Sequence, residues 1–550
     1  MSNRLSIARG IPLEDEPGIG ALTIGGYLRE VVARHGPSEA LVLHEGGVRI
    51  AWTYDELLAR SVEFARALIA GGAGRDTRVG ILMTNRPEFL AALFGTALAG
   101  GVPVALSTFS TRSELDHLLR ASQVSVLLYE RQVLKQDFAA MLCGLKPKIA
   151  ADGREALVSE IYPFLRELVP LDALDSFLGS GVGISEAQVL ARADAVCPAD
   201  PGGIFFSSGT TNLPKGIAHS QRAFAIQWWR WPRVFCMREP VRAWTSNGFF
   251  WSGNVSMVVG SALSTGGAVV LQRWFDADEA LQLMEREKIA FINGRPHQWA
   301  RLREAKGWAE ADLSSLKYIP RGEMIWDHPT VDTDWEVPMS FGTTETMTIC
   351  TSFEADEKGD FYDGSMGLPL PGNVIKIVSP LTGEPVPLGE RGEFCIKAPT
   401  LMSGYLGKSP EQCFDAEGFF CTGDGGRIDA EGRFFWEGRM TEMIKTGGAN
   451  VAPLEVDDVI VRYPGVKRTQ TVGLPHDLLG ELVVSCIVPV DGAELSESAI
   501  QAFVKAEVAS FKVPRRVLFF RDEDYAITGN EKVKSSVVRQ LAADRLGIVL

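Results

Sequence analysis

The sequence predicts an α/β protein: a large N-terminal domain of layered, mostly parallel sheets with a β-rich subdomain, followed by a small C-terminal α/β unit. Three observations carry this. Between residues 22 and 130, short apolar runs alternate with stretches of helical periodicity, and strand-then-helix repetition builds parallel sheets with helices on both faces. From about residue 364 the texture changes to short β segments between Gly/Pro turns, such as 374–378 and 392–397. Beyond residue 440 a compact run of two helices, two strands and a last helix follows. At 550 residues the chain is also too long for one hydrophobic core.

Taken in order, 27–34 and 54–70 carry helical periodicity, with Thr53 placed to cap the second helix. Residues 78–83 read as a buried strand, 88–99 as a helix, and 100–106 as a turn and strand. Another helix runs through Leu119, and 124–129 is a third strand. The pattern resumes with a short buried strand at 203–206 and a helix near 221–230. An apolar segment at 255–263, a strand at 268–271, a helix at 277–287 and a strand at 289–293 follow. In the last unit, 453–463 reads as helix, 469–474 and 483–490 as strands, 497–510 as helix, with a final helix from Lys534. The boundary falls at Gly438-Arg439-Met440-Thr441, giving domains 1–440 and 441–550. No repeat of fixed period is present.

Composition narrows the function. A hydrophobic content of 46% with 23% charged residues is that of a soluble globular protein, and a net charge of −14 argues against a nucleic-acid binder. The eight cysteines lack paired spacing, which predicts reduced thiols and no zinc site. Residues 1–20 lack a basic n-region and an apolar h-region, and no apolar run reaches membrane-spanning length, so a cytoplasmic protein is expected.

The densest chemistry lies at 207–216, Ser207-Ser208-Gly209-Thr210-Thr211-Asn212-Leu213-Pro214-Lys215-Gly216. Hydroxyls and backbone N–H groups that a glycine leaves accessible can wrap a polyphosphate, and Lys215 adds a mobile cation. The spacing is not that of the Walker loop. This loop resembles the phosphate-binding signature of the adenylate-forming superfamily, which comprises acyl- and aryl-CoA ligases, peptide-synthetase adenylation domains and luciferases. Asn212 stands where that family usually has glycine; asparagine tolerates the left-handed region better than most side chains.

Four further segments match the family in order. Phe341-Gly342-Thr343-Thr344-Glu345 resembles its aromatic-Gly-x-Thr-Glu segment, which implies that Phe341 stacks on adenine, Thr344 bonds the α-phosphate and Glu345 holds Mg²⁺. Phe419 to Asp424 resembles aromatic-x-x-Thr-Gly-Asp, with Asp424 on the ribose hydroxyls and Arg439 as the ribose-binding arginine. Residues 442–455 resemble the segment past the family's hinge, where Lys445, Gly447 and Gly448 would line the approach of CoA. The hinge falls at Met440-Thr441, with Thr441 standing where the family usually carries Asp or Lys. Thr528 to Lys534 resembles the segment of the adenylation lysine but holds two extra residues, Asn530 and Glu531. Spacing to Val533 and Arg539 favours Lys532, with Lys534 the alternative. Gly322-Glu323 occupies the place of the family's backbone contacts to adenine.

The resemblance thus implies an ATP site built from Ser207, Ser208, Gly209, Thr210, Thr211, Lys215, Gly322, Glu323, Phe341, Gly342, Thr343, Thr344, Asp424 and Arg439. Lys532, Thr344, Glu345 and Thr210 would carry the catalysis, and the C-terminal unit would be a mobile lid. For the acid, residues 244–274 contain no Asp or Glu, so an amino-acid ammonium has no counter-ion there. Phe249, Phe250 and Trp251 supply aromatic walls, while the Trp-rich run 227–231 reads as core. The expected activity is an AMP-forming acyl-CoA ligase acting on an apolar fatty, alicyclic or aromatic acid. Its partners are ATP, Mg²⁺, CoA and the acid, with a homodimer left open. The rival readings are an adenylase that serves a carrier protein or closes a β-lactone, and a nucleotide-binding module without turnover.

Overall fold

The computed structural model describes residues 4–145, 159–207, 214–294, 296–319, 324–335, 339–355, 364–440, 444–446, 449–477, 479–508, 512–524 and 535–550. The chain forms two compact units. One holds 9–374 and 397–418; the other holds 1–8, 375–396 and 419–550.

The larger unit is built on two layered sheets. A seven-stranded sheet runs in the order Gly404–Tyr405, Lys215–Ser220, Pro201–Ser207, Val102–Ala105, Arg78–Leu82, Val126–Tyr129, Glu167–Pro170. Its last five strands pair in parallel, as the alternation predicts; the first two are antiparallel additions. A five-stranded sheet holds Phe291–Ile292, Arg242–Thr245, Ala268–Leu271, Glu39–Glu45 and Val48–Thr53. The helix Pro87–Leu98 has eleven of its twelve residues buried, which suits an all-round apolar sequence in the middle of a large core. Helix Tyr54–Ala70 starts with a capping box: Thr53 Oγ1 accepts from the Glu56 amide and Glu56 Oε2 accepts from the Thr53 amide. The Trp-rich run behaves as core. Trp228, Trp229 and Trp231 are at most 5% exposed, and the fully buried Arg230 is neutralised by Glu16 at 2.9 and 2.7 Å.

Two elements depart from the sequence reading. The hairpin Glu39–Glu45/Val48–Thr53 turns at Gly46-Gly47, both at positive φ, where no strand was expected. The segment after the phosphate loop is a strand, Lys215–Ser220, antiparallel to Pro201–Ser207, so that loop joins two strands and the helix begins only at Gln221.

In the smaller unit, the β-rich part aligns Ile7–Arg9, Val374–Val378, Gly392–Lys397, Phe420–Ile428 and Phe434–Arg439 in one sheet. A second sheet orders Ala449–Val451, Ile444–Thr446, Gly480–Pro489 and Val466–His476, with Arg516–Phe519 on Gly480–Pro489. Helices Pro453–Ile460, Glu497–Glu507 and Ser535–Leu546 accompany it. The expectation of eight reduced thiols is corrected here. Cys395 and Cys421 lie directly opposite each other on antiparallel strands, Cα atoms 4.1 Å apart, and are joined as a disulfide. Twenty-six residues separate them in sequence, so only the strand register brings them together.

Candidate functional site

In the larger unit Ser207, Lys215 and, through Tyr405, Glu345 come together at the mouth of the phosphate-loop hairpin. Ser207 and Lys215 are the last cross-strand pair before the loop. Just beyond it, His117 Nε2 bonds the Pro214 carbonyl at 2.8 Å, so the helix Arg112–Ser122 fixes the loop's exit. Ser208, Gly209, Thr210 and Thr211 lie outside the described residues, as do Gly322 and Glu323.

The Phe341–Glu345 segment is a tight hairpin. Phe341–Thr343 pairs antiparallel with Thr348–Ser352, and Phe341 is buried. Gly342 is required: a Cβ there would stand 2.0 Å from the Thr348 carbonyl oxygen. Thr346 closes the turn, its hydroxyl accepting from the Thr343 amide at 2.9 Å and donating to the Thr348 carbonyl at 2.6 Å. Met347 and Thr348 both adopt positive φ, 51° and 91°, a conformation that a β-branched residue resists. The bend presents Glu345, and two contacts pin it. Its carbonyl accepts from the Met402 amide at 2.7 Å, and its carboxylate Oε1 accepts from the Tyr405 hydroxyl at 2.7 Å.

Tyr405 is a functional candidate that sequence reasoning missed, and His219 is a buried support of the Glu345 turn. Tyr405 sits on a two-residue strand beside Lys215–Ser220, with Lys215 Nζ 5.6 Å from its ring centroid. A Gly-Tyr pair among turn residues carries no signal of that position. His219 is wholly buried between Phe205 and Phe224 and against the Thr344 backbone. Burial lowers its pKa to about 4, so it is neutral at physiological pH and belongs to the support of the turn.

The three aromatic residues chosen for the acid pocket are adjacent but unequally exposed. Phe249 and Phe250 are buried, against Phe89 and Phe109 respectively, and Trp251 is half-buried against Phe250. Behind them lies an amide cluster. Asn254 accepts from Thr245 Oγ1 at 2.8 Å and from Asn293 Nδ2 at 3.2 Å, and donates to the Asn247 carbonyl; Asn85 bonds the Phe249 amide at 3.2 Å. The following helix passes into a π-helix at Val255–Val259, a widening often found at functional sites.

In the smaller unit the structure brings Asp424 and Arg439 together as cross-strand partners. Asp424 is 2% exposed, and its Oδ1 meets Arg439 Nε at 3.3 Å and the Trp436 indole N–H at 3.0 Å. Gly423 holds φ +76°, and the Asp424 amide bonds Thr422 Oγ1 at 3.0 Å, which turns the carboxylate toward the two donors. Arg439 also bonds the Thr422 carbonyl at 2.8 Å, so its guanidinium is fixed although nearly half-exposed. Met440 lies close to Gly425, and Lys445 is an exposed strand residue whose amide bonds Glu481 at 2.8 Å. Thr441, Gly447, Gly448, Lys532 and Lys534 lie outside the described residues.

Two family models match the chain, "AMP-binding enzyme" over residues 28–406 and "AMP-binding enzyme C-terminal domain" over 455–532. The chain belongs to the AMP-binding enzyme family. Feruloyl-CoA synthase of Amycolatopsis sp is 29% identical over 519 residues, 92% of this chain and 97% of that protein. Indoleacetate–CoA ligase of Aromatoleum aromaticum is 30% identical over 501 residues, 89% of this chain and 93% of that one. In architecture the chain is similar to ATP-bound MatB from Rhodopseudomonas palustris, with a TM-score of 0.76, 24% identity, and coverage of 95% and 99%. The α/β architecture with a smaller C-terminal domain is therefore that of this family. Among the described residues no helix is long and apolar enough to cross a membrane.

Proposed function

We propose that this family member is an ATP-dependent acid–thiol ligase. It joins an apolar carboxylic acid to AMP with release of pyrophosphate, then passes the acyl group to CoA with release of AMP. The observation that carries the reading is Glu345, raised on a strained turn and pinned by Met402 and Tyr405 beside Lys215. Pre-set charges of this kind stabilise a transferring phosphoryl group because they need no rearrangement when charge develops. Glu345 offers a half-exposed, hard oxygen donor held by a neutral phenol, a donor that fits Mg²⁺; the ion, when bound, neutralises phosphate-oxygen charge. Lys215 and the hydroxyls of the loop that starts at Ser207 take the phosphates, Thr344 the α-phosphate, and Phe341 the adenine. Asp424 takes the ribose, held in place by Arg439 and Trp436.

In this scheme the acid's carboxylate oxygen attacks the α-phosphorus and the bond to pyrophosphate breaks. The CoA thiolate then attacks the acyl carbon and AMP leaves with the bonding electrons. Residues 441–550 act as the lid, turning about Met440-Thr441, with Lys532 serving the first step and Lys445, Gly447 and Gly448 the second. The aromatic wall of Phe249, Phe250 and Trp251, and the lack of carboxylates across 244–274, favour a ring-bearing acid. That both the feruloyl and the indoleacetate ligase act on aromatic acids agrees with this.

Carboxylate-dependent ATP–pyrophosphate exchange across aromatic, alicyclic and C2–C18 acids is the test, followed by CoA consumption with the best acid. Exchange with thioester formation is expected. Exchange without CoA consumption would favour a carrier-protein acceptor or a β-lactone product. ATP binding with no exchange for any acid would leave only a nucleotide-binding module.

A further inference from the structure

Glu345 and Lys215 carry opposite charges next to one aromatic ring, and each meets a neutral partner instead of the other. Tyr405 donates its hydroxyl to Glu345 Oε1 at 2.7 Å, and its ring centroid lies 5.6 Å from Lys215 Nζ and 5.3 Å from Lys408 Nζ. Among the described residues there is no ion pair between Lys215 and Glu345. The backbone of Tyr405 is fixed as well: Gly404–Tyr405 is hydrogen-bonded in register to Ile217 and Ala218, two and three residues beyond Lys215. One side chain thus ties the carboxylate of the 341–345 turn to the strand that carries the phosphate-loop lysine.

We propose that Tyr405 is a positioning residue that keeps Glu345 and Lys215 apart and both charges available for a metal–polyphosphate ligand. A carboxylate and an ammonium in direct contact would neutralise each other, and an incoming ligand would first have to break that pair. A phenol hydrogen bond orients the carboxylate without cancelling its charge, and a π face attracts the ammonium while leaving its N–H donors directed elsewhere. The inference rests on the ligase reading for the identity of the ligand, although its test does not require turnover.

The experiment titrates Mn²⁺ into the full-length protein with ATP present and follows free Mn²⁺ by electron paramagnetic resonance. Tyr405→Phe keeps the ring and loses the hydroxyl, and Mn²⁺ affinity should fall about 10-fold, as expected for one hydrogen bond to a charged group. Tyr405→Ala removes ring and hydroxyl, frees Lys215 to pair with Glu345, and should weaken Mn²⁺ further. With ATP held saturating, adding Lys215→Met to Tyr405→Ala should restore part of the Mn²⁺ affinity, although ATP affinity falls. A residue that merely supports the fold would show no such restoration. Unchanged Mn²⁺ affinity in Tyr405→Phe, or no recovery in the double variant with a native melting temperature in both, would overturn the inference. Should Tyr405→Ala fail to fold, Tyr405→Leu, which fills the site without a π face or a hydroxyl, and Tyr405→Leu/Lys215→Met carry the same comparison. A wild-type protein that binds Mn²⁺ and ATP but exchanges no pyrophosphate would reject the ligase reading and leave the Mn²⁺ result standing.

Discussion

Glu345 in the larger unit is half-exposed, its carboxylate met by the Tyr405 phenol and its carbonyl by one amide. Asp424 in the smaller unit is 2% exposed and receives an arginine and an indole on the same oxygen. Both adjoin turns that hold Gly, Thr and residues at positive φ, yet the chain holds one with neutral groups and the other with a cation. On the proposed roles, the difference is what two tasks demand. A carboxylate meant to meet a metal must keep its charge uncompensated until the ligand arrives. One meant to accept hydroxyl hydrogen bonds can be locked as an ion pair, because orientation is all it contributes.

The comparison is broken most directly at Glu345. Glu345→Gln keeps size and the acceptor for Tyr405 but removes the charge. Pyrophosphate exchange should fall by about 10²–10³-fold, with little change in melting temperature. At Asp424 the same kind of change acts on binding. Asp424→Asn should raise KM for ATP by about 10–100-fold, the range for a lost charge-assisted hydrogen bond, with kcat less affected. Arg439 is nearly half-exposed, so water takes over its solvation and stability should change little. If the two variants show the same split between kcat and KM, the division of labour drawn here is wrong.

Much of this was legible in the sequence because the signals are local. Alternating apolar runs predicted the parallel strands, Thr53 the start of a helix, and the ordered motifs singled out Asp424 and Arg439, which pair across two strands. The aromatic run at 227–231 read as core and is core. What escaped is non-local. Tyr405 reaches Glu345 across sixty residues, Cys395 meets Cys421 through strand register, and Glu16 finds Arg230 across 214 residues. The strand Lys215–Ser220 was missed for a different reason. Lys-Gly-Ile-Ala-His-Ser has neither strict alternation nor a β-rich run, and its pairing with Pro201–Ser207 decides its conformation.

A third carboxylate sharpens the comparison: among the described residues it pairs with no cation. Asp457 is half-buried, and desolvation of its carboxylate pushes its pKa up to about 6 despite hydrogen bonds from Thr471 and Thr469. Its folded value stands above the usual carboxylate range near 4, so its contribution is complete below about pH 4 and is lost as pH rises through about 6. Asp457→Asn removes that loss at the expense of one backbone hydrogen bond. Relative to wild type it should gain about 2 kcal/mol at pH 7.5 and nothing near pH 4.5. Thermal melts across that range decide it; a difference independent of pH would show that Asp457 does not titrate with folding. Pyrophosphate exchange should not follow the same curve, since no ligand role attaches to this group.

The smallest effect probes whether orientation alone is what Asp424 supplies. Trp436 gives Asp424 Oδ1 a second donor at 3.0 Å, and the indole is neutral, so it can direct the carboxylate but cannot hold its charge. Trp436→Phe keeps an aromatic ring in the strand and deletes that donor. If orientation matters, KM for ATP should rise about 3–10-fold with kcat unchanged, less than the full worth of a hydrogen bond to an ionised group because the indole acts on ATP only through Asp424. Arg439→Lys, which keeps the charge but loses the rigid fork, should produce a similar rise. The two donors share one oxygen, so the double variant should lose more than the product of the single losses once nothing fixes the carboxylate. A strictly multiplicative double variant would mean that the indole and the guanidinium act independently, and that the arginine serves the ligand rather than Asp424.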